Sequence, residues 1–340
     1  MEHFIELGLF ASKVVLVFLL LVGVVALISG LIMRQKMRPE LEIEHINQRL
    51  DDLEDMIQSV VLSKKDLKEY HKENKKREKD REREEKEHKL KHIYFLKFDG
   101  DIRALAVDEL RDEITAVLTV AKPGDEAVIS IESPGGTVHG YGLAAAQIIR
   151  LKNAGLQVTA CVDRVAASGG YMMACTAHKI LAAPFAIVGS IGVLAQVPNF
   201  NRFLKKHDVD YEEITSGEYK RTVSILGEIT EKGRSKFTEQ IVDTHALFKE
   251  FVHGERPRVD IHKVATGEYW YGIRAKELNL IDDVMTSDEY LLSQRRSAQI
   301  YSIKYHPKKS LGDKLTEVIS ATSERVLSRA VALLTERPQL

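Results

Sequence analysis

Residues 157–171 read QVTACVDRVAASGGY, and this stretch decides the fold. Gln157 to Val162 is an apolar run of strand length, and the residues after Gly169 have helical character. Ser168 therefore stands at a turn from a strand to a helix, where a hydroxyl points outward and the first amides of the helix are unpaired. The glycines after it let a substrate approach the backbone closely. An acyl-transfer site and an ordinary helix cap both fit this motif taken alone.

The same order of strand, glycine-rich turn and helix occurs upstream. Ala127–Ile131 is a predicted strand, followed by the turn Ser133-Pro-Gly-Gly136 and the predicted helix Tyr141–Leu151. Ile93–Phe98 and Val107–Val120 are an earlier strand and helix. Regular alternation implies right-handed crossovers, and so it predicts an α/β domain with a largely parallel sheet covered by helices. Both Gly-Gly turns then fall at the carboxyl ends of strands, where ligands bind in such sheets.

Near the start of the chain lies an uncharged run, Val14–Met33, whose 20 residues can cross a hydrocarbon core of about 30 Å. We expect residues 1–38 to be an uncleaved membrane anchor in contact with lipid, since a signal peptide would have a shorter apolar region and a small-residue cleavage site. Lys13 is the only lysine or arginine before the run, whereas several such residues follow it. The positive-inside rule therefore predicts that the rest of the protein lies on the cytoplasmic side.

Residues 39–91 are predicted to form a helical arm. Its first part carries apolar residues at steps of three and four: Ile43, Ile46, Leu50, Leu53, Ile57 and Val60. This pattern fits a short coiled coil, and it fits equally an amphipathic helix on the protein's own core. Lys72–Lys89 is almost entirely charged with mixed signs, which is typical of a solvated helix or a disordered linker. A helix over all of residues 40–91 would be about 75 Å long.

Residues 92–300 are the predicted globular domain, and residues 301–340 are a C-terminal segment. Leu181–Val197 is uncharged, but Pro184 and its glycines favour buried strands over a second membrane span. In the C-terminal segment, Leu311–Leu334 is amphipathic, so it can pack on a neighbouring subunit, on the membrane surface or on the protein itself.

Composition and motifs exclude several classes of function. The formal net charge is −1, which gives no basic field for a nucleic-acid partner. Cys161 and Cys175 lie in apolar contexts and are expected to be buried thiols. The chain has no HExxH pair, no Walker loop and no dinucleotide fingerprint, so the sequence predicts neither a metal nor a cofactor.

Four motifs together carry a family resemblance: Ser133-Pro-Gly-Gly136, Ala167-Ser-Gly-Gly-Tyr171, Gly189-Ser-Ile-Gly-Val193 and Ser216-Gly-Glu-Tyr-Lys220. In this order and spacing the chain resembles the S49, or signal peptide peptidase A, family of membrane-bound serine peptidases. The resemblance implies a ClpP/crotonase-like fold with a repeated β-β-α core. It also implies a ring-like homo-oligomer in the bacterial inner (plasma) membrane.

The resemblance also assigns roles to residues. It makes Ser168 the nucleophile, Lys220 the general base and Ser190 the residue that orients Lys220. The backbone N–H groups of Gly136 and Gly169 are the expected oxyanion hole, because glycine permits close approach of a substrate carbonyl. On local sequence alone, Lys220 is an ordinary exposed lysine and Ser190 a turn serine that bonds its own backbone.

A histidine base is the rival arrangement. His139, His178 and His245 lie in the domain, and His139 follows the first Gly-Gly turn, but no orienting carboxylate stands beside it in the sequence.

The expected function is that of a membrane-anchored serine endopeptidase, which cleaves peptides at the membrane beside small or apolar side chains through an acyl-enzyme. Two alternatives stay open. One is a crotonase-like acyl-CoA enzyme, which shares the fold and a glycine-rich oxyanion pocket. The other is a catalytically silent scaffold that organises membrane partners through its arm.

Overall fold

The computed structural model describes residues 41–86 and 90–306. Ile43–Lys304 form a compact unit that contains nearly all of these residues. The strands are β1 (Leu41–His45), β2 (Lys91–Asp99), β3 (Glu126–Glu132), β4 (Gln157–Val162), β5 (Val165–Ala167), β6 (Lys179–Ala182), β7 (Ile187–Gly189), β8 (Tyr269–Tyr271), β9 (Asp283–Val284) and β10 (Ala298–Tyr305). The helices are α1 (Ile46–Val61), α2 (Lys64–Lys86), α3 (Val107–Val120), α4 (Val138–Asn153), α5 (Gly169–Ala174), α6 (Asn201–Lys206), α7 (Glu231–Glu255), α8 (Ile261–Val264), α9 (Gly272–Glu277) and α10 (Ser287–Gln294).

Two sheets organise the fold. Seven strands lie in the order β1-β10-β2-β3-β4-β6-β9, and every pair from β10 to β9 is parallel. A smaller sheet has the order β5-β7-β8, in which β5 and β7 are parallel and β7 and β8 antiparallel. The predicted α/β class with a mostly parallel sheet is confirmed. Because β4 and β5 belong to different sheets, the chain crosses from one sheet to the other immediately before Ser168.

The core lies at the centre of the large sheet, where Leu96, Ile129 and Ala160 are completely buried. Strands covered by helices on both faces need apolar residues on both faces, which is why β2, β3 and β4 read as nearly continuous apolar runs. α3 buries Leu110 and Ile114 on one face at helical spacing. The predicted bounds of β4 and α3 are confirmed residue for residue.

The uncharged stretch 181–197 belongs in part to this core, so its predicted assignment to the core is confirmed in part. It contributes β7 and the end of β6, and Leu181, Val188 and Ile191 are fully buried. Pro184 and Phe185 in its middle and residues 194–197 at its end are exposed. Cys161 and Cys175 are free and buried, and burial raises the pKa of both thiols well above the ordinary range.

The helical arm differs from a continuous 75 Å helix. Residues 41–45 are a strand, and the helix breaks at Leu62 and Ser63. The Tyr70 hydroxyl donates to Asp55 Oδ1 at 2.5 Å, whereas residues 15 apart in one straight helix are about 22 Å apart. α2 therefore folds back towards α1. Ser63 starts α2, because its Oγ accepts from the Asp66 amide and donates to the Asp66 carboxylate.

The apolar seam of the arm divides between two environments. Ile46 is buried and Leu50 packs against the same cluster, in agreement with a helix docked on the domain. Leu53, Ile57 and Val60 are exposed. Asn47 fixes the docked half: its amide donates to the carbonyls of Arg295 and Ala298, and its Oδ1 accepts from the Ile300 amide.

Two of the predicted segments fall outside the part of the chain that the structure describes. The membrane run Val14–Met33 and the amphipathic segment Leu311–Leu334 are outside the described residues. Across residues 41–86 and 90–306, none of the helices combines the length and the apolar character that a bilayer crossing requires.

Candidate active site

Ser168 occupies a strained turn between β5 and α5. Its backbone has φ +52° and ψ −115°, a conformation that costs a non-glycine residue about 1–3 kcal/mol. Two hydrogen bonds hold the turn: the Ser168 amide donates to Gly189 O at 2.8 Å, and the Met172 amide donates to Ser168 O at 2.9 Å. Although Ser168 stands at the N-cap position, its side chain makes no capping bond. The hydroxyl is therefore available for chemistry, and the simple helix-cap interpretation is wrong.

The two Gly-Gly turns lie against each other. Gly135 has φ +91°, and a Cβ there would approach the Ala167 carbonyl oxygen to 2.7 Å. A Cβ at Gly136 would approach the Ile102 carbonyl oxygen to 2.0 Å. Only glycine fits either position, so the first turn can approach the Ser168 turn at backbone distance.

The amides of Gly136 and Gly169 are unpaired within the described part of the chain. Gly169 is the first residue of α5, where the orientation of the peptide dipoles favours negative charge. Both residues line the same cavity as Ser168. Two free N–H groups beside a free hydroxyl are the components of an oxyanion-stabilising site.

A buried hydrogen-bond chain supports the first Gly-Gly turn. The Gly135 amide donates to Ser133 Oγ at 3.0 Å, Ser133 Oγ contacts the Tyr141 hydroxyl, and that hydroxyl donates to Asp101 O at 2.7 Å. Burial raises the pKa of Tyr141, which keeps this hydroxyl a donor. The sequence pattern alone does not identify Tyr141 as a supporting residue. Its position five residues after Gly136 was the available signal, but only the fold shows that the ring points back to the turn.

Ser190 follows β7 and has φ +52°. Its amide donates to Glu268 O at 2.7 Å, and its Oγ is 3.5 Å from Gly267 O, which is a weak hydrogen bond. Ser190 lines the cavity that contains Ser168. The structure thus brings Ser168, Ser190 and the two glycine amides to one place.

That cavity has a volume of about 1060 Å³. One wall comes from the middle of α7, through Thr244, His245, Leu247, Phe248 and Phe251. Met172 and Val193 add apolar surface from the side of the two serines. A cleft of this size, largely apolar with a few polar groups, is suited to a segment of polypeptide.

Lys220 lies elsewhere in the single chain. It is exposed in the loop between α6 and α7, where its amide donates to Gly217 O at 3.1 Å, and it does not line the cavity. Beside it, Arg221 pairs with Glu213 at 3.1 Å and Lys232 pairs with Glu218. The structure therefore does not bring Lys220 to Ser168 within one subunit.

Of the three candidate histidines, only His245 lies at the cavity. His139 is exposed and absent from the cavity lining, and His178 accepts a hydrogen bond from the Val158 amide at 3.0 Å, at the amino end of β4. His245 lines the cavity. No hydrogen bond joins it to Ser168 among the described residues.

Comparison with known proteins decides the family. The description "Peptidase family S49 N-terminal" matches residues 2–148, and "Peptidase family S49" matches residues 150–300. The "Probable protease SohB" of Haemophilus influenzae is 46% identical over 334 residues, which cover 95% of this chain and 94% of that protein. The chain belongs to peptidase family S49. The family predicted from the four motifs is confirmed.

Other S49 relatives resemble shorter parts of the chain. The "Probable protease SohB" of Buchnera aphidicola subsp. Schlechtendalia chinensis is 52% identical over 202 residues, covering 59% of this chain and 66% of that protein. Among solved structures, a mutant of the "1510-N membrane-bound stomatin-specific protease" has a TM-score of 0.40 and 15% identity, covering 60% of this chain and 84% of that chain. A TM-score this low adds nothing to the description of the fold given above. Membership of S49 makes peptide hydrolysis the class of activity.

Proposed function

We propose that this S49 peptidase is a membrane-anchored serine endopeptidase that uses a Ser168–Lys220 dyad. The observation that carries the proposal is the Ser168 hydroxyl, which makes no capping bond to α5 and is held in a strained turn. It lines the same cavity as the unpaired amides of Gly136 and Gly169. Strain of this kind persists only where surrounding contacts fix it, and it concentrates at functional sites.

The reaction proceeds through two acyl transfers. Ser168 Oγ attacks the carbonyl carbon of the scissile peptide bond, and its proton passes to the general base. The negative charge on the carbonyl oxygen is stabilised by the N–H groups of Gly136 and Gly169. The C–N bond then breaks, and the leaving amine takes the proton from the base. Water, deprotonated by the same base, hydrolyses the ester on Ser168 and restores the hydroxyl.

Lys220 is the proposed base, and Ser190 orients its amine. Because the single chain leaves Lys220 exposed, the loop that bears it must move to the cavity for the dyad to form. Assembly into a homo-oligomer provides the reason for such a movement. Residues 194–230, which include this loop, expose large apolar side chains, among them Leu194, Phe203 and Ile214, which a neighbouring subunit would cover.

The substrates are proposed to be polypeptides at the inner membrane, bound in extended form with small or apolar side chains next to the scissile bond. Val14–Met33 anchors the enzyme, and the excess of basic residues after this run places the catalytic domain on the cytoplasmic side. The anchor limits the enzyme to substrates that reach the membrane surface.

The decisive experiment is to label the purified full-length protein with a fluorophosphonate, which phosphonylates activated serines with loss of fluoride, and to map the adduct by peptide mass spectrometry. We expect modification at Ser168 and none in Ser168→Ala. Ser216, an exposed serine of the Lys220 loop, is the internal control and should remain unmodified. Absence of an adduct, together with absence of peptide hydrolysis, would favour the scaffold and contradict the proposal. An adduct confined to another serine would show that this other serine, and not Ser168, is the nucleophile.

A further inference from the structure

Two side chains of the Ser168 cavity contain buried polar atoms without a hydrogen-bond partner among the described residues. They are Nε2 of His245, on α7, and Oγ1 of Thr137, immediately before α4. About 90% or more of buried polar groups in proteins have a partner, so each exception requires an explanation. These two exceptions fall in one cavity, which is also the cavity of the proposed nucleophile.

Thr137 is placed to bond something other than its own helix. It occupies the N-cap position of α4 with extended backbone angles, yet its side chain makes no capping bond. Threonine at this position ordinarily accepts a hydrogen bond from an amide of the first helical turn. The Thr137 amide is already paired with Ile102 O at 2.8 Å, and Thr137 directly follows Gly136. Its hydroxyl is therefore an unused polar group one residue from a proposed oxyanion amide.

His245 is the corresponding group on the α7 wall. Its neighbour Thr244 is satisfied, since Oγ1 donates to Gln240 O at 2.8 Å, and the other α7 residues of the lining are apolar. Nε2 of a neutral imidazole can donate or accept, according to the tautomer. One polar atom in an apolar wall fixes the direction of a ligand more than it adds affinity.

We propose that His245 and Thr137 are substrate-binding residues that hydrogen-bond the main chain of an extended peptide in the cavity, once the entering peptide displaces the neighbouring atoms that shield Nε2 and Oγ1 from solvent. Main-chain N–H and C=O groups are the polar atoms that every polypeptide substrate presents, whatever its side chains. His245 and Thr137 thus position the peptide, while the bond-breaking steps belong to other residues. This inference rests on the proposed function, since it assumes that the cavity binds a peptide.

Binding is measured first, without catalysis. The full-length Ser168→Ala protein in detergent is titrated with a decapeptide that the unaltered protein cleaves. Adding His245→Phe removes the polar atom and keeps a planar ring, and we expect binding to weaken about 3- to 10-fold, the usual effect of losing one hydrogen bond. His245→Gln places an amide near the position of Nε2 and should recover most of that loss. His253→Phe, an exposed position on the same helix, is the matched control. Equal affinity for the Phe and Gln variants would overturn the assignment.

Kinetics then separate binding from catalysis. In the protein with intact Ser168, His245→Phe and Thr137→Val should each raise KM about 3- to 10-fold and leave kcat within about 3-fold. A 100-fold or greater loss of kcat in His245→Phe, with KM unchanged, would instead make His245 a general base and overturn the positioning role.

Peptide analogues identify the bonded group. Replacing one backbone amide at a time by an ester removes an N–H and weakens the adjacent carbonyl as an acceptor. We expect one position at which the ester weakens binding to Ser168→Ala but not to the double variant Ser168→Ala/His245→Phe. Equal sensitivity of both proteins at every position would contradict a main-chain contact. Failure of the proposed function would be visible separately, as hydrolysis that persists in Ser168→Ala.

Discussion

Gly135 and Ser168 are packed so closely that a Cβ at position 135 would lie 2.7 Å from the Cβ of Ser168. Real side chains do not approach to this distance, so the nucleophile turn leaves room only for a hydrogen at position 135. The contact joins the two glycine-rich turns and thereby fixes the distance between Ser168 and the Gly136 amide.

Gly135→Ala should therefore inactivate the enzyme. The new methyl group clashes with the Ser168 turn, and alanine at φ +91° is strained by about 1–3 kcal/mol. We expect at least a 100-fold loss in kcat/KM and a lower free energy of unfolding, measured by peptide hydrolysis and by urea denaturation. Gly254→Ala is the control, because nothing lies within 4 Å of a Cβ at this position in α7 and alanine favours a helix by about 0.5–1 kcal/mol. Comparable activity losses in the two variants would show that the close contact is not the cause.

Ser168→Ala and Lys220→Ala should each abolish peptide hydrolysis without lowering the melting temperature. Loss of a general base alone costs about 100- to 10,000-fold in rate. Lys206→Ala, at another exposed lysine in the 200–220 region, should retain activity. Full turnover by purified Lys220→Ala would show that Lys220 is not the general base. His245, the histidine that lines the cavity, would then be the candidate base.

Activity should rise between about pH 6 and 9. A lysine accepts a proton only in its neutral form, and raising the pH increases the neutral fraction. The measurement is kcat/KM of the full-length protein across this range at constant ionic strength. A curve that reaches its plateau near pH 7 would point to a histidine base, since the unperturbed imidazole has a pKa of about 6.5.

Tyr141→Phe should lower both stability and activity. The change leaves the Ser133 hydroxyl and the Asp101 carbonyl without the hydroxyl that joins them, at a cost of about 1–3 kcal/mol for buried polar groups. Because Ser133 Oγ also accepts from the Gly135 amide, the oxyanion turn should become less well fixed. We expect kcat to fall about 10-fold with little change in KM. Tyr271→Phe, at an exposed tyrosine of β8, is the control; an equal loss of kcat there would count against the role of the buried chain.

Arg256→Lys should destabilise the domain. Arg256 joins the carboxyl end of α7 to the strand layer through two 2.9 Å bonds to Asp282, whose Oδ2 also accepts from the Ile180 amide at 2.7 Å. A lysine cannot make the paired contact, and the partly buried carboxylate would lose part of its compensation. We expect a decrease of about 1–3 kcal/mol in the free energy of unfolding. Arg274→Lys, at an exposed ion pair within α9, should change it by less than about 0.5 kcal/mol.

Several elements follow from local pattern alone. β4 is an apolar run of strand length, and α3 has apolar residues at helical spacing. Each pattern fits only one type of element, so the predicted and observed bounds coincide. The Gly-Gly turns indicate their own geometry, because positive φ favours glycine and a close approach of two backbones requires it. The arm was less predictable. Its apolar spacing describes one face of a helix, but it does not say that Asn47 would anchor the first half to β10 or that Tyr70 would bond back to Asp55.

The sequence by itself determined the family, the α/β class and the identity of the turns that surround Ser168, since these depend on residue types at short spacing. The tertiary structure decided which of the candidate groups share a cavity: Ser168, Ser190, Gly136, Gly169 and His245 do, whereas Lys220 and His139 do not. It also revealed the chain from Gly135 through Ser133 and Tyr141 to Asp101. These relations join segments that are distant in the chain, and their distances follow from sheet order and helix packing, which no local pattern of residues specifies.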